Sequence, residues 1–259
     1  MNQFTDPLVG RGVNQLAAPV LGAEPEWEGA VNARLLLGDI YRMGRSEWLT
    51  EKGWQRAYDD GVRTVIDLRN EGERVRRPTD PEVAPETMAR FAVVHCPTED
   101  PENADFKEIC KPYLNHPRSY ADNVRIFPDL VAGVFKQLAA AEGRVVIHCS
   151  AGRDRTGLIA TMLLRLAGAD DEQIARHYEL SARGINDWHL ISPVKHPHER
   201  YLEESELAPA LESRLEALGR FADGLDVEEF LAANGVTPLE LARLRERLAA
   251  GSPAVGMAP

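Results

Sequence analysis

Cys149 lies in the run Val145-Val146-Ile147-His148-Cys149-Ser150-Ala151-Gly152-Arg153-Asp154-Arg155-Thr156-Gly157, with Arg155 six positions after it. A thiolate is a potent nucleophile, and a guanidinium presents a planar fork that holds two oxygens of one oxyanion, which Lys cannot do in the same geometry. On one short loop the two could attack phosphorus and steady its oxygens. The apolar β-branched stretch before the thiol predicts a strand, and Leu158-Ile159-Ala160-Thr161-Met162-Leu163-Leu164 predicts a buried helix after it. The N–H groups at a helix start are unpaired and the dipole there favours negative charge, so one place suits both a sulfur anion and a phosphate.

The pattern His148-Cys149-x-x-Gly152-x-x-Arg155-Thr156-Gly157 resembles the signature of the cysteine-dependent protein tyrosine phosphatases. With Ala151 and Asp154 it is most similar to their bacterial and fungal branch, whose loop reads HCxAGKDRTG and which overlaps with dual-specificity and phosphoinositide phosphatases. Arg153 stands where that branch usually has Lys, which keeps the charge. Asp67-Leu68-Arg69 followed by Glu73 is similar to the branch's D-L-R-x-x-x-E element, and Arg42 matches an arginine near the phosphate site there. The resemblance implies an α/β fold with a central, mostly parallel sheet flanked by helices, and a helical C-terminal extension that often covers the active-site face. It implies phosphomonoester hydrolysis without a cofactor, on a phosphotyrosine protein or a phosphoinositide.

In that chemistry Cys149 forms a cysteinyl-phosphate and Arg155 holds the equatorial oxygens as charge shifts. Thr156 donates a hydrogen bond to the departing sulfur. Residues Ser150, Ala151, Gly152, Arg153, Asp154 and Arg155 line the anion cradle, and Arg153 adds positive charge that would suit inositol phosphates. His148 is expected to order the loop, because strand alternation turns its side chain away from Cys149. The leaving oxygen needs a proton. Two carboxylates compete for that role: Asp154, implicated through the resemblance, and Asp100, on an acidic, proline-bearing stretch over residues 97 to 117 that reads as a candidate mobile lid. The alternative for Asp154 is a helix cap, for Arg42 a surface arginine on an edge strand. Asp67, closing a buried strand, reads as structural. Cys96 and Cys110 have Glu102 and His116 six positions on and enter no Gly-rich turn, so both read as bystanders.

The remaining elements must position that loop. Residues 1–26 carry scattered Gly and Pro and predict an irregular arm, with the core over 27–203, helices over 204–250 and a disordered tail over 251–259. Gly38-Asp39 between two apolar runs predicts a hairpin or a bent strand. A helix is expected from an N-cap at Ser46 to Asp60-Gly61, then strands over Val62–Arg69 and Met88–Cys96. From Ser119 to Ala141 the apolar residues recur at helical spacing, broken only by Pro128, which predicts a kink or two successive helices. Asp170 to Glu172 open another helix through Leu180, with Trp188 and His189 in a less regular segment. Thr237, Pro238 and Glu240 form a capping-box arrangement for the last helix.

A net charge of −11 argues against nucleic-acid binding, so a phosphate site would be a local positive pocket in an acidic body. No long apolar run supports membrane insertion and no signal peptide is recognisable, and three cysteines without framework spacing fit a reducing, cytoplasmic setting. Three histidines near residue 196 lack the spacing of a metal site, so none is expected. The sequence sets no oligomeric state. Two other readings remain open, a rhodanese-type sulfurtransferase and a non-catalytic phosphate-binding module.

Overall fold

The computed structural model describes Gly22 and residues 24–194, 196 and 199–250. Most of the expected arm and the whole expected tail lie outside the described residues. β1 (Arg34–Leu37) and β2 (Ile40–Met43) pair antiparallel across Gly38, whose φ of 60° suits a residue without a Cβ. Thr50, not Ser46, caps α1 (Glu51–Asp59): its backbone is extended and its hydroxyl accepts from the Gly53 N–H at 3.1 Å. Ser46–Trp48 form a separate 3₁₀ turn ahead of it. β3 (Val62–Asp67) follows. α2 (Pro85–Met88) is a single turn started by its proline, so β4 begins late and spans only Ala92–His95.

The stretch expected as a lid forms helical turns over Phe106–Cys110, Lys111–Tyr113 and Pro117–Ser119, with Phe106 and Cys110 packed on Phe127. Pro128 splits the next helical run into α3 (Tyr120–Ile126) and α4 (Pro128–Ala140). β5 (Arg144–His148) then enters the middle of a sheet ordered β1-β2-β5-β3-β4, parallel to both β2 and β3. Only the β1–β2 pair is antiparallel, so the sheet is mostly parallel as expected. Alternation buries both faces of β5: Val145 and Ile147 face the helices that follow, while Val146 faces α1 together with Tyr41, Met43 and Val65. Buried on both sides, this strand reads as an unbroken apolar run.

α5 (Asp154–Leu166) packs on the first of those faces beside α6 (Asp171–Ile191), which carries Trp188 and His189 within its last turns rather than in an irregular segment. α7 (Glu204–Gly224), α8 (Val227–Ala233) and α9 (Pro238–Ala249) complete that apolar layer. Thr237 and Glu240 make the reciprocal capping box. α9 docks on the β1–β2 turn, where Arg247 Nη1 meets Asp39 at 2.7 Å and the Asp39 N–H donates to the Arg247 carbonyl. That turn starts β2 and neighbours the start of β5, so α9 covers the end of the sheet opposite Cys149, not the Cys149 face. Among the described residues no helix is long and apolar enough to cross a membrane.

Candidate active site

The carboxyl end of a central parallel strand is where open α/β sheets bind ligands, and Cys149 stands there between β5 and α5. Its loop is held by its carbonyls. The Cys149 carbonyl lies 3.3 Å from His148 Nδ1, Ser150 accepts from the Arg45 N–H at 3.0 Å, and Ala151 from Asn32 Nδ2 at 2.9 Å. Gly152 accepts from Arg42 Nη2 at 2.7 Å and Asp154 from the Tyr120 hydroxyl at 2.8 Å. A planar peptide points its N–H opposite to its C=O, so carbonyls tied outward turn the amides toward the hollow of the loop. The concave side is therefore a row of donors, and the Cys149 side chain at the start of the loop is 1% exposed and packed with the apolar residues of the α5 face.

Gly152 permits the tightest point of the turn. Its φ is 70°, and an added Cβ would lie 2.5 Å from the Met43 carbonyl oxygen and 2.7 Å from the Gly44 nitrogen. Gly152→Ala is accordingly expected to cost about 1–3 kcal/mol of stability from left-handed strain and to push the loop off β2. A lowered melting temperature together with weakened inorganic-phosphate binding would check this; unchanged phosphate affinity would contradict it.

Arg155 reaches back over the loop. Its Nη1 and Nη2 meet Glu73 Oε2 and Oε1 at 2.5 and 2.6 Å, with Ser150 Oγ 3.4 Å from Nη2. Glu73 thus takes the end-on pair of the fork, and the edge that includes Nε is left for a phosphate. Burial disfavours the charge on Arg155, but the hydrogen bonds it donates to Glu73 and then the charges of Glu99 and Cys149 outweigh it and raise its pKa. Glu73 is placed by the D-L-R element. Asp67 binds Arg69 at its backbone N–H, Nε and Nη2 over 2.8–3.0 Å, and Arg69 also pairs with Glu47 at 2.8 Å. This buried network fixes the turn whose Asn70 N–H holds Glu73 Oε2 at 3.1 Å.

The expected residues fall as follows. Arg42 is 1% exposed and sits beneath the loop, not on a surface edge; alternation puts it on the α5 side of β2, the side of Ile40. Asp67 is the structural carboxylate expected of it. His148 is buried with Nε2 3.9 Å from Asp67, away from the hollow, and burial lowers its pKa so that it stays neutral. The Thr156 hydroxyl is buried with no hydrogen-bond partner. Burial raises the pKa of Cys96 and pushes Cys110 up to about 11, which suits inert thiols.

Arg153 does not add an open positive charge. Its Nε lies 3.1 Å from both Asp154 oxygens and its Nη2 2.6 Å from Glu199, on the segment between α6 and α7. Glu199 also meets His189 at 3.1 Å; burial opposes its charge, but Arg153 and His189 bring its pKa down to about 2. Asp100 is exposed and closes its own turn by accepting from the Glu102 N–H at 2.8 Å. Its neighbour Glu99 is the residue brought to the loop, with Oε1 3.5 Å from Arg155 Nη1. Asn32, Tyr120, Glu99 and Glu199 were not singled out by the sequence. Only Glu99 carried a signal, as a carboxylate beside Asp100.

Comparison with known proteins identifies a family. The Tyrosine phosphatase family matches residues 28–250. A tyrosine-protein phosphatase of Nostoc commune is 50% identical over 50 residues, 19% of this chain and 17% of that protein. A putative tyrosine-protein phosphatase of Cupriavidus necator is 28% identical over 169 residues, 60% of this chain and 58% of that protein. The chain thus spans less than two thirds of either relative's length. Among solved structures, TpbA of P. aeruginosa aligns over 81% of this chain and 97% of its own at 19% identity and a TM-score of 0.41. The Siw14 catalytic core, from S. cerevisiae, aligns over 84% and 96% at 14% identity and 0.43. With the family match running from before β1 to the end of α9, the chain belongs to the tyrosine phosphatase family.

Proposed function

We propose that the protein is a phosphomonoester hydrolase acting on phosphotyrosine in proteins through a cysteinyl-phosphate. The observation that carries this is the juxtaposition of a thiol with the Arg155 fork on a loop five of whose carbonyls, those of Cys149, Ser150, Ala151, Gly152 and Asp154, are tied to surrounding groups. The loop amides and Arg155 take the phosphoryl oxygens, and the Cys149 sulfur attacks phosphorus in line with the ester oxygen. Charge on the equatorial oxygens is held throughout by donors that need not reorganise. Water then displaces the sulfur, and the Thr156 hydroxyl, which has no other partner, donates to it as it leaves. Asp154 acts with Arg153 in shaping the loop.

Two features favour phosphotyrosine over a phosphoinositide. Cys149 is 1% exposed, and an aryl ester spaces phosphorus further from a protein surface than a short alkyl ester does, which suits a buried sulfur. Arg153, the extra cation that could have taken a second phosphate, is already balanced by Asp154 and Glu199. A catalytic thiolate has to stay reduced, which favours a cytoplasmic setting. Rates on phosphotyrosine peptide, phosphothreonine peptide and phosphoinositides, with Cys149→Ser as blank, test the reading. We expect phosphotyrosine to lead by at least about tenfold in kcat/KM, a difference of about 1.4 kcal/mol; a phosphoinositide leading the panel would overturn the specificity, and no turnover of any ester would overturn the activity.

A further inference from the structure

Three carboxylates surround the Arg155 guanidinium and its loop, and they are not equivalent. Glu73 grips the end of the fork in two short charge-assisted bonds, and although burial works against it, Arg155 holds its pKa below the ordinary value. Asp154 has both oxygens engaged by Arg153 Nε. Glu99 is different. It follows β4 on the stretch after Cys96, is 9% exposed, and touches Arg155 Nη1 only at 3.5 Å, well beyond the roughly 2.7–2.9 Å of a strong charged hydrogen bond.

Resting on the phosphatase reading, we propose that Glu99 is the proton donor to the leaving oxygen, in place of Asp154 or Asp100. The guanidinium it abuts at 3.5 Å is the group that orients the phosphoryl oxygens in this reading, which sets its carboxyl next to the reacting group. In the first step the S–P bond forms, the P–O ester bond breaks, and the Glu99 proton moves to the departing phenolic oxygen. In the second the Glu99 carboxylate takes a proton from water as that water attacks phosphorus. The S–P bond breaks, releasing inorganic phosphate and the thiolate.

The surroundings of Glu99 shift it toward the protonated form the first step needs. Burial raises its pKa first; Arg155 on α5 opposes, and Glu73 and Asp154 add like-charge repulsion. The Glu99 charge is also felt by Cys110, whose pKa burial, then Asp122 and Glu99, push up to about 11. Two carboxylates on one guanidinium are thereby driven apart, the pKa of Glu73 lowered and that of Glu99 raised, the division expected of an anchor and an acid. A donor whose pKa is raised stays active further above the usual carboxylate range, and kcat then falls as pH rises through that pKa.

The test is Glu99→Gln, measured on phenyl phosphate and on an aryl phosphate with a strongly acidic leaving group. Loss of a general acid should lower kcat by about 10²–10⁴ on the first and by less than about tenfold on the second, because a good leaving group departs unprotonated. The basic limb of the kcat profile should vanish, with the inhibition constant for inorganic phosphate unchanged. An equal loss on both esters, or a weakened phosphate constant, would make Glu99 a mere prop for Arg155 and overturn the proposal. So would a basic limb kept in Glu99→Gln and lost in Asp154→Asn or Asp100→Asn. A wild-type enzyme inert on every ester would strike the phosphatase reading itself.

Discussion

Cys149→Ser is expected to lower turnover of a phosphotyrosine peptide by about 10⁵-fold or more, the scale seen when an enzyme loses its nucleophile. Sulfur and oxygen differ little in size, so the five tied carbonyls and the Arg155–Glu73 pair stay where they are and the substrate still finds its cradle. What changes is the attacking atom: a hydroxyl does not ionise at neutral pH and has no paired base in this loop to remove its proton. Calorimetry should therefore record binding of the peptide within about tenfold of wild type while the rate collapses, and acid quenching during turnover should trap phosphate on the wild-type thiol alone. If the serine variant kept even about one per cent of the rate, the nucleophile would have to be elsewhere and the reading of the loop would fail.

Much of this was legible in the sequence because it is local. The strand, turn and helix around Cys149 are written in adjacent residues, as are the Gly38 hairpin, the Pro128 break and the Thr237 cap. The helix cap assigned to Ser46 failed on equally local grounds, since Thr50 lies one short turn later with the extended backbone that a cap needs. What stayed hidden depends on contacts distant in the chain. Asn32 supports Ala151 across 119 positions, and Glu199 reaches Arg153 across 46. Neither has a periodicity or a motif to announce it. The acid shows the limit most sharply: residues 97 to 117 pointed to a carboxylate near the site, but which of two neighbours faces inward is decided by how the chain turns after β4, and it is Glu99 that is buried while Asp100 caps its own turn.

Arg155→Lys should cost about 10²–10³ in kcat on phosphotyrosine peptide, the price of losing an oriented donor to the transition state, and should raise KM as well. The guanidinium does two things at once: its end-on pair satisfies Glu73 while its other edge is free for phosphate. An ammonium has three donors on one atom and no second edge. Because Glu73 remains ionised and fixed by Asn70, a lysine at this position is drawn onto it and withdrawn from the hollow of the loop. Both ground-state binding and transition-state stabilisation then fall, which separates this variant from Cys149→Ser, where binding survives. Steady-state kinetics with inorganic phosphate as competitor distinguish the two. A lysine variant with phosphate affinity and kcat within about fivefold of wild type would mean that a simple positive charge suffices, and that the planar fork held by Glu73 is not what binds the ester.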